Sequence, residues 1–337
     1  MSVASAAARV TERVPGYGGA FWDITPLQDF LAGEHGWSDA DLARNQVGMR
    51  TPLRGEDAAA LARFWRTIAE AARRLDAAGI LPITIKSLRT YAFWDSNADL
   101  LIPPGSRPAV LAALYAGAWV PPSRASRVEQ ALVERAKIKL PSRDPELLSA
   151  HLYEGVSWRY QADIGLLPGD REAAASRLVR VDPALFGAGD DASAPAVWVP
   201  DDATELVLQA AHAVFENFRL SVGEALHFHL LRRVPGAWER AQEIAAEHGC
   251  TAALREVAAL CEAALEGRLG WAPAAWPAQM PLRVLGRCYA DRLRYLGGRR
   301  RLGSAAVEIG GFAAVYPLIT AVRRRRLRRR LRAEAAA

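Results

Sequence analysis

Lysine is nearly missing from this chain. Of its 43 basic residues only Lys86, Lys137 and Lys139 are lysine, and the remainder are arginine. In an alanine-rich sequence that is a compositional bias, not a set of selected guanidinium sites. Cysteine is also scarce. Cys250, Cys261 and Cys288 are far apart and form no CxxC pair, which excludes a disulfide framework and a cysteine zinc site, and leaves buried free thiols of a reducing compartment. The first sixteen residues lack the apolar core of a secretory signal. Wholesale disorder is excluded, because 51% of the residues are hydrophobic and 24% charged.

What is present is a chain of 337 residues, long enough for one large or two modest domains. Its formal charge of +6 is unevenly placed: eight of the ten residues from Arg323 to Arg332 are arginine, and without them the charge becomes −2. The pI near 9.5 therefore describes one segment and is no argument for a nucleic-acid-binding body.

Apolar periodicity organises the rest. Residues 1–56 read as an irregular or weakly helical lead-in. From Asp57 to Leu75, Leu61, Phe64, Trp65, Ile68, Ala72 and Leu75 recur at helical spacing, and Gly79 provides a stop. Ile80 to Ile85 reads as a buried strand, followed by Lys86-Ser87 and a turn through Thr90. A second strand, Ala98 to Ile102, ends at Pro103-Pro104. Ser106 then caps a helix running to about Ala118. Val128 to Leu140 and Leu147 to Tyr153 are candidate strands, and Phe186 to Pro195 has a linker composition. Beyond it, Asp202–Phe218, Val222–Arg232, Ala237–His248, Thr251–Leu265 and Met280–Leu296 read as helices. The expected class is α/β (α+β): a mixed sheet flanked by helices over 57–185, then a mostly helical region over 196–304 and a segment 305–337.

The window Leu81 to Trp119 holds the candidate chemistry. A nucleotidyl-transfer site needs backbone N–H groups at a short turn to approach phosphate, and acidic residues on an adjacent strand to hold Mg²⁺. Alternate strand residues share a face, so Asn97-Ala98-Asp99 places two oxygen-bearing side chains together, with Asp95 just upstream.

This window resembles the nucleotidyltransferase-like family of largely uncharacterised bacterial nucleotidyltransferases, of the polymerase-beta-like superfold. Lys86-Ser87 stands where that family has Lys-Gly, Asn97 to Ile102 where it has its Asp-x-Asp strand, and Gly117-Ala118-Trp119 where its helix ends. His151-Leu-Tyr-Glu-Gly-Val-Ser-Trp158 is similar to a His-Leu-His strand of the family followed by Ser-Trp, with Tyr153 replacing the second histidine. Val199-Pro200 and the following helix with Ala211-His212-Ala213 resemble a later family segment. The resemblance implies transfer of a nucleotidyl group from an NTP, with Mg²⁺, to an unknown acceptor: a saccharide, another small molecule or a protein. It assigns Asp99, with Asn97 or Asp95, to the metal, and Lys86 and Ser87 to the phosphates. The alternative is a protein that keeps the fold as a non-catalytic binding or scaffold module.

Three departures separate the chain from that pattern. Asn97 is an amide where an acid is expected, Ser87 replaces glycine, and the third carboxylate has only Asp144, Glu146 or Glu154 nearby. His151 and His212 read as packed interior histidines. His227 and His229 are two apart, a spacing that does not share a helix face. Trp94 and Trp158 read as core or groove fillers before base-stacking groups.

Ala305 to Val322 is apolar apart from Glu308 and Thr320 but contains Gly310-Gly311 and Pro317, which speaks against a spanning helix. The segment reads first as a helix packed on the domain with a solvated arginine tail; an apolar segment beside Arg323–Arg332 also suits peripheral association with an anionic membrane, ahead of nucleic acid as a partner. The expected location is cytoplasmic, with the inner membrane face as its peripheral refinement.

Overall fold

The computed structural model describes residues 10–13, 20–49, 55–91, 93–103, 105–123, 137–154, 177–183, 196–299, 303, 305–306, 309–310, 312–313, 316–317 and 321. The linker-like stretch Phe186 to Pro195, the N-terminal part of the Val128 to Leu140 strand, Trp158 and Arg323–Arg332 lie outside them.

The lead-in is more ordered than its sequence suggests. It contains a two-stranded antiparallel pair, β1 (Val10–Arg13) and β2 (Ala20–Trp22), then helices α1 (Thr25–His35) and α2 (Asp39–Arg44). Ser38 caps α2 in a reciprocal box with Asp41. Ile24, Leu27 and Leu31 are fully buried, and the Trp37 indole N–H donates to the Trp271 carbonyl at 2.6 Å. A long amphipathic helix, α3 (Gly55–Ala77), follows as its spacing predicts.

Six strands form the main sheet: β3 (Ile83–Thr84), β4 (Asn97–Ile102), β5 (Lys137–Leu140), β6 (Ser149–Glu154), β7 (Leu178–Val181) and β8 (Val197–Pro200), in the order β5-β6-β4-β3-β8-β7. The sheet is mixed: β4 is parallel to β6 and β3 to β8, while β3–β4, β5–β6 and β7–β8 are antiparallel. The expected mixed α/β class is therefore present. Strand β3 is shorter than Ile80 to Ile85, although the Ile85 N–H still donates to the Asp99 carbonyl at 3.0 Å.

One sheet face carries Leu100, Ile102, Ala150 and Leu152, covered by Ala71 and Leu75 of α3 and by Val110 and Leu114 of α4 (Arg107–Tyr115). Ser106 does not cap α4 through its side chain; its hydroxyl donates to the Pro103 carbonyl at 2.6 Å. Strand alternation leaves Asp99 and Leu101 on the opposite face.

After β8 the chain is mostly helical: α5 (Asp202–Ala211), α6 (Val222–Leu231), α7 (Ala237–Glu247), α8 (Thr251–Leu265) and α9 (Leu282–Gly298). A short pair, β9 (Arg219–Leu220) with β10 (Ala278–Gln279), lies among them. The expected Asp202–Phe218 helix changes character at His212, where His212–Asn217 widens into a π-turn and Phe218 turns left-handed. His212 Nδ1 pairs with Glu216 at 3.0 Å and its Nε2 with the Asn217 amide at 2.8 Å, ties that bracket the wider turn. A continuous apolar cluster runs from Ile24 through Ile83 and Leu101 to Tyr289. All three cysteines are buried thiols outside any disulfide, and burial pushes the Cys288 thiol up to about 12.

Candidate functional site

Register assembles the site. Asn97 and Asp99 alternate onto one face of β4, and the parallel pairing with β6 places His151 beside Asp99 and Tyr153 beside Leu101. Lys86 arrives from the end of β3 with φ of 58°, a left-handed conformation that a lysine seldom adopts. That kink is framed by a Thr84–Ser87 hydroxyl pair and by the Thr84 hydroxyl donating to the Asp99 carbonyl at 2.9 Å.

The result is a compact polar cluster. The Lys86 ammonium makes an ion pair with Asp99 Oδ2, and both side chains are nearly buried. His151 Nδ1 lies 3.3 Å from Asp99 Oδ1, and the Asn97 amide donates to the same oxygen at 2.8 Å. The ammonium also donates to the Tyr153 hydroxyl at 3.2 Å and lies 5.0 Å from that ring's centre.

The residues singled out by sequence thus divide. Lys86, Asn97 and Asp99 come together. Ser87 is buried beside them but turns its hydroxyl to the Ile85 carbonyl at 3.1 Å, and it starts no helix. Asp95 closes a local turn, accepting from the Ser96 N–H at 2.6 Å. Asp144 also folds back locally, accepting from the Glu146 N–H, while Glu146 pairs with Arg66 at 3.2 Å. Trp94 is 37% exposed and so fills no core. His151, read from sequence as an interior histidine, is buried but belongs to the cluster. Only the strand register reveals that; the His-Leu-Tyr string was the sole local signal.

Donor chemistry decides whether Mg²⁺ suits these groups. The ion takes six oxygen ligands in tight octahedral geometry and is usually held by carboxylates. Here one carboxylate meets an ammonium, an imidazole and an amide N–H, and among the described residues no three His, Cys, Asp or Glu side chains converge as a metal set. The cluster does not fit a divalent cation.

A second polar cluster backs the loop that follows Lys86. His227 of α6 is fully buried and its Nδ1 accepts the Thr90 N–H at 3.2 Å, while Nε2 lies 3.7 Å from Glu205. Burial drives the His227 pKa down to about 4. Glu224 is buried too; burial acts to raise its pKa, but His212, the Ser221 N–H and Arg89 together hold it below the usual carboxylate value. Comparison with family models, curated proteins and solved structures finds no match to this chain.

Proposed function

We propose that the chain is a nucleotidyltransferase-like protein that binds a nucleotide at the Lys86–Asp99–His151 cluster, and that it does so as a binding module. The observation behind this reading is the Lys86–Asp99 ion pair, which leaves the site without the carboxylate set of a metal-dependent transferase. The mixed sheet, with Lys86 at the end of one strand and Asp99 on its antiparallel neighbour, agrees with the arrangement that the resemblance implies. Lys86, held in place by Asp99, is the hydrogen-bond donor for a phosphate oxygen, and His151 and Tyr153 add polar groups on the same face.

Calorimetry with each NTP, with and without Mg²⁺, tests this. Binding that is insensitive to chelator and weakened by Asp99→Ala is the expected result. No heat with any nucleotide would remove the nucleotide from the proposal.

The second reading is catalysis: nucleotidyl transfer from an NTP to a saccharide, another small molecule or a protein. Its support is the placement of Asp99 on β4, where the resemblance puts a catalytic acid. Pyrophosphate release from an NTP, lost in Asp99→Asn, would favour it over the binding module. Among the described residues no helix is long and apolar enough to cross a membrane. Peripheral association through Arg323–Arg332 is proposed as a separate property of the chain.

A further inference from the structure

We infer that Lys86 is a built-in counter-cation that occupies the charge position of a divalent metal, making this a site for metal-free recognition of a phosphate ester. The ligand class rests on the nucleotide-binding reading above; the role of Lys86 does not.

The Asp99 side chain is 5% exposed. A carboxylate so removed from water needs a cation and hydrogen-bond donors, or it gives up its charge. All of these come from the chain. The ammonium is on Oδ2, while the Asn97 amide and His151 Nδ1 face Oδ1 at 2.8 and 3.3 Å. The ammonium is itself held by the Tyr153 hydroxyl and ring, so its position is set from two sides.

The backbone is arranged to deliver that ammonium. A lysine at φ 58° persists only where its surroundings over-determine it. The Thr84–Ser87 pair on either side, and the Ile85 N–H on the Asp99 carbonyl, fix the strand end against β4. A glycine would adopt this φ freely but would bring no charge. A divalent cation approaching Asp99 meets a like charge already in place.

The test is a cation titration of the full chain without nucleotide, using Mn²⁺ and Mg²⁺. The wild type should show no saturable Mn²⁺ site by paramagnetic resonance, and its melting temperature should not respond to millimolar Mg²⁺. Lys86→Met leaves Asp99 buried without its lysine cation. It should lower the melting temperature, and millimolar Mg²⁺ or Mn²⁺ should restore part of the loss. Lys86→Met with Asp99→Asn should recover stability and lose the cation response. Saturable Mn²⁺ binding by the wild type that disappears in Asp99→Asn would overturn the inference, as would a folded Lys86→Met indifferent to divalent cations. Should Lys86→Met not fold, the wild-type and Asp99→Asn titrations decide alone: silence in both supports the inference, and Asp99-dependent binding defeats it. Because no nucleotide enters the assay, failure of the nucleotide-binding reading leaves a separate signature, absence of NTP heat in calorimetry.

Discussion

Two charged residues outside the cluster, one buried and one partly buried, show how single residues set local energetics. Arg89 is 4% exposed; its Nη2 donates to Gln46 at 3.2 Å and its guanidinium lies 5.0 Å from the Phe93 ring centre, but Nε and Nη1 have no hydrogen-bond partner among the described residues. Its charge nonetheless helps hold the buried Glu224 ionised, and removing one partner of a buried charge pair leaves the other less compensated. Arg89→Met is therefore expected to cost about 1–3 kcal/mol in chemical denaturation. A neutral or stabilising outcome would show that His212 and Ser221 suffice for Glu224. Asp202 behaves differently. It follows the N-cap Asp201 at the start of α5, where the helix dipole favours an anion. Burial outweighs that benefit, and with Asp201 and Glu205 alongside it raises the Asp202 pKa to about 6. A raised carboxylate pKa stabilises the fold below the unfolded value near 3.8, and the contribution is lost as pH rises through about 6. Asp202→Asn should thus be more stable than wild type at pH 7 by about 2 kcal/mol, with the difference vanishing below pH 4, as read from denaturation across pH. Sequence showed both residues but not their environments, since burial belongs to the packed fold.

At the scale of elements, the loop after Lys86 is clamped by α6. Gly223 marks the contact: a Cβ there would lie 2.5 Å from the Tyr91 hydroxyl and 2.8 Å from the Asn45 carbonyl. The Gly223 N–H donates to that same carbonyl at 2.8 Å, so the backbone of α6 has no room to retreat. Gly223→Ala should cost about 1–3 kcal/mol from overpacking, measured by denaturant midpoint. His227 supplies the other clamp, and its Nδ1 can accept the Thr90 N–H only while unprotonated. Its pKa is depressed by burial from 6.5 to about 4, so its contribution is complete above pH 6.5 and is lost as pH falls through about 4. The wild type should lose up to roughly 3 kcal/mol over that window through this group, and His227→Asn, with an acceptor near the Nδ1 position, should flatten the slope. An unchanged slope would assign the acid sensitivity elsewhere. Helices α3, α7 and α8 were legible from periodicity because one apolar stripe sufficed to define each, whereas α6 is buried on nearly every side. The pairing of β4 with β6 was not, because each strand is buried on both faces in a different part of the sequence. The lead-in read only as irregular or weakly helical since α1 and α2 are short and are tied down by long-range contacts such as that of Gln28, whose amide donates to the Val47 and Met49 carbonyls.

For the whole molecule, the C-terminal segment joins the body before the arginine run begins. Its described positions within 303–321 are helical, and the rings of Phe312 and Tyr316 lie 6.2 and 5.3 Å from that of Phe218, with Phe312 4.5 Å from Tyr289. Of the readings the sequence left open for this segment, the packed helix is the one its aromatic face follows, while Ile309 stays 52% exposed. Association with an anionic membrane would then rest on Arg323–Arg332 by charge, each near-surface arginine contributing about 1 kcal/mol and less as salt rises. The full chain is expected to co-sediment with anionic vesicles at low ionic strength and to release as salt is added, and a chain ending at Val322 to remain in solution. Phe312→Ala should lower stability by about 2 kcal/mol, since it empties a partly buried aromatic contact, yet leave vesicle binding unchanged. Charge and packing are thus separable in one pair of measurements. Equal sedimentation of the chain ending at Val322 would rule out an electrostatic anchor, and loss of vesicle binding in Phe312→Ala would return the role to the apolar face.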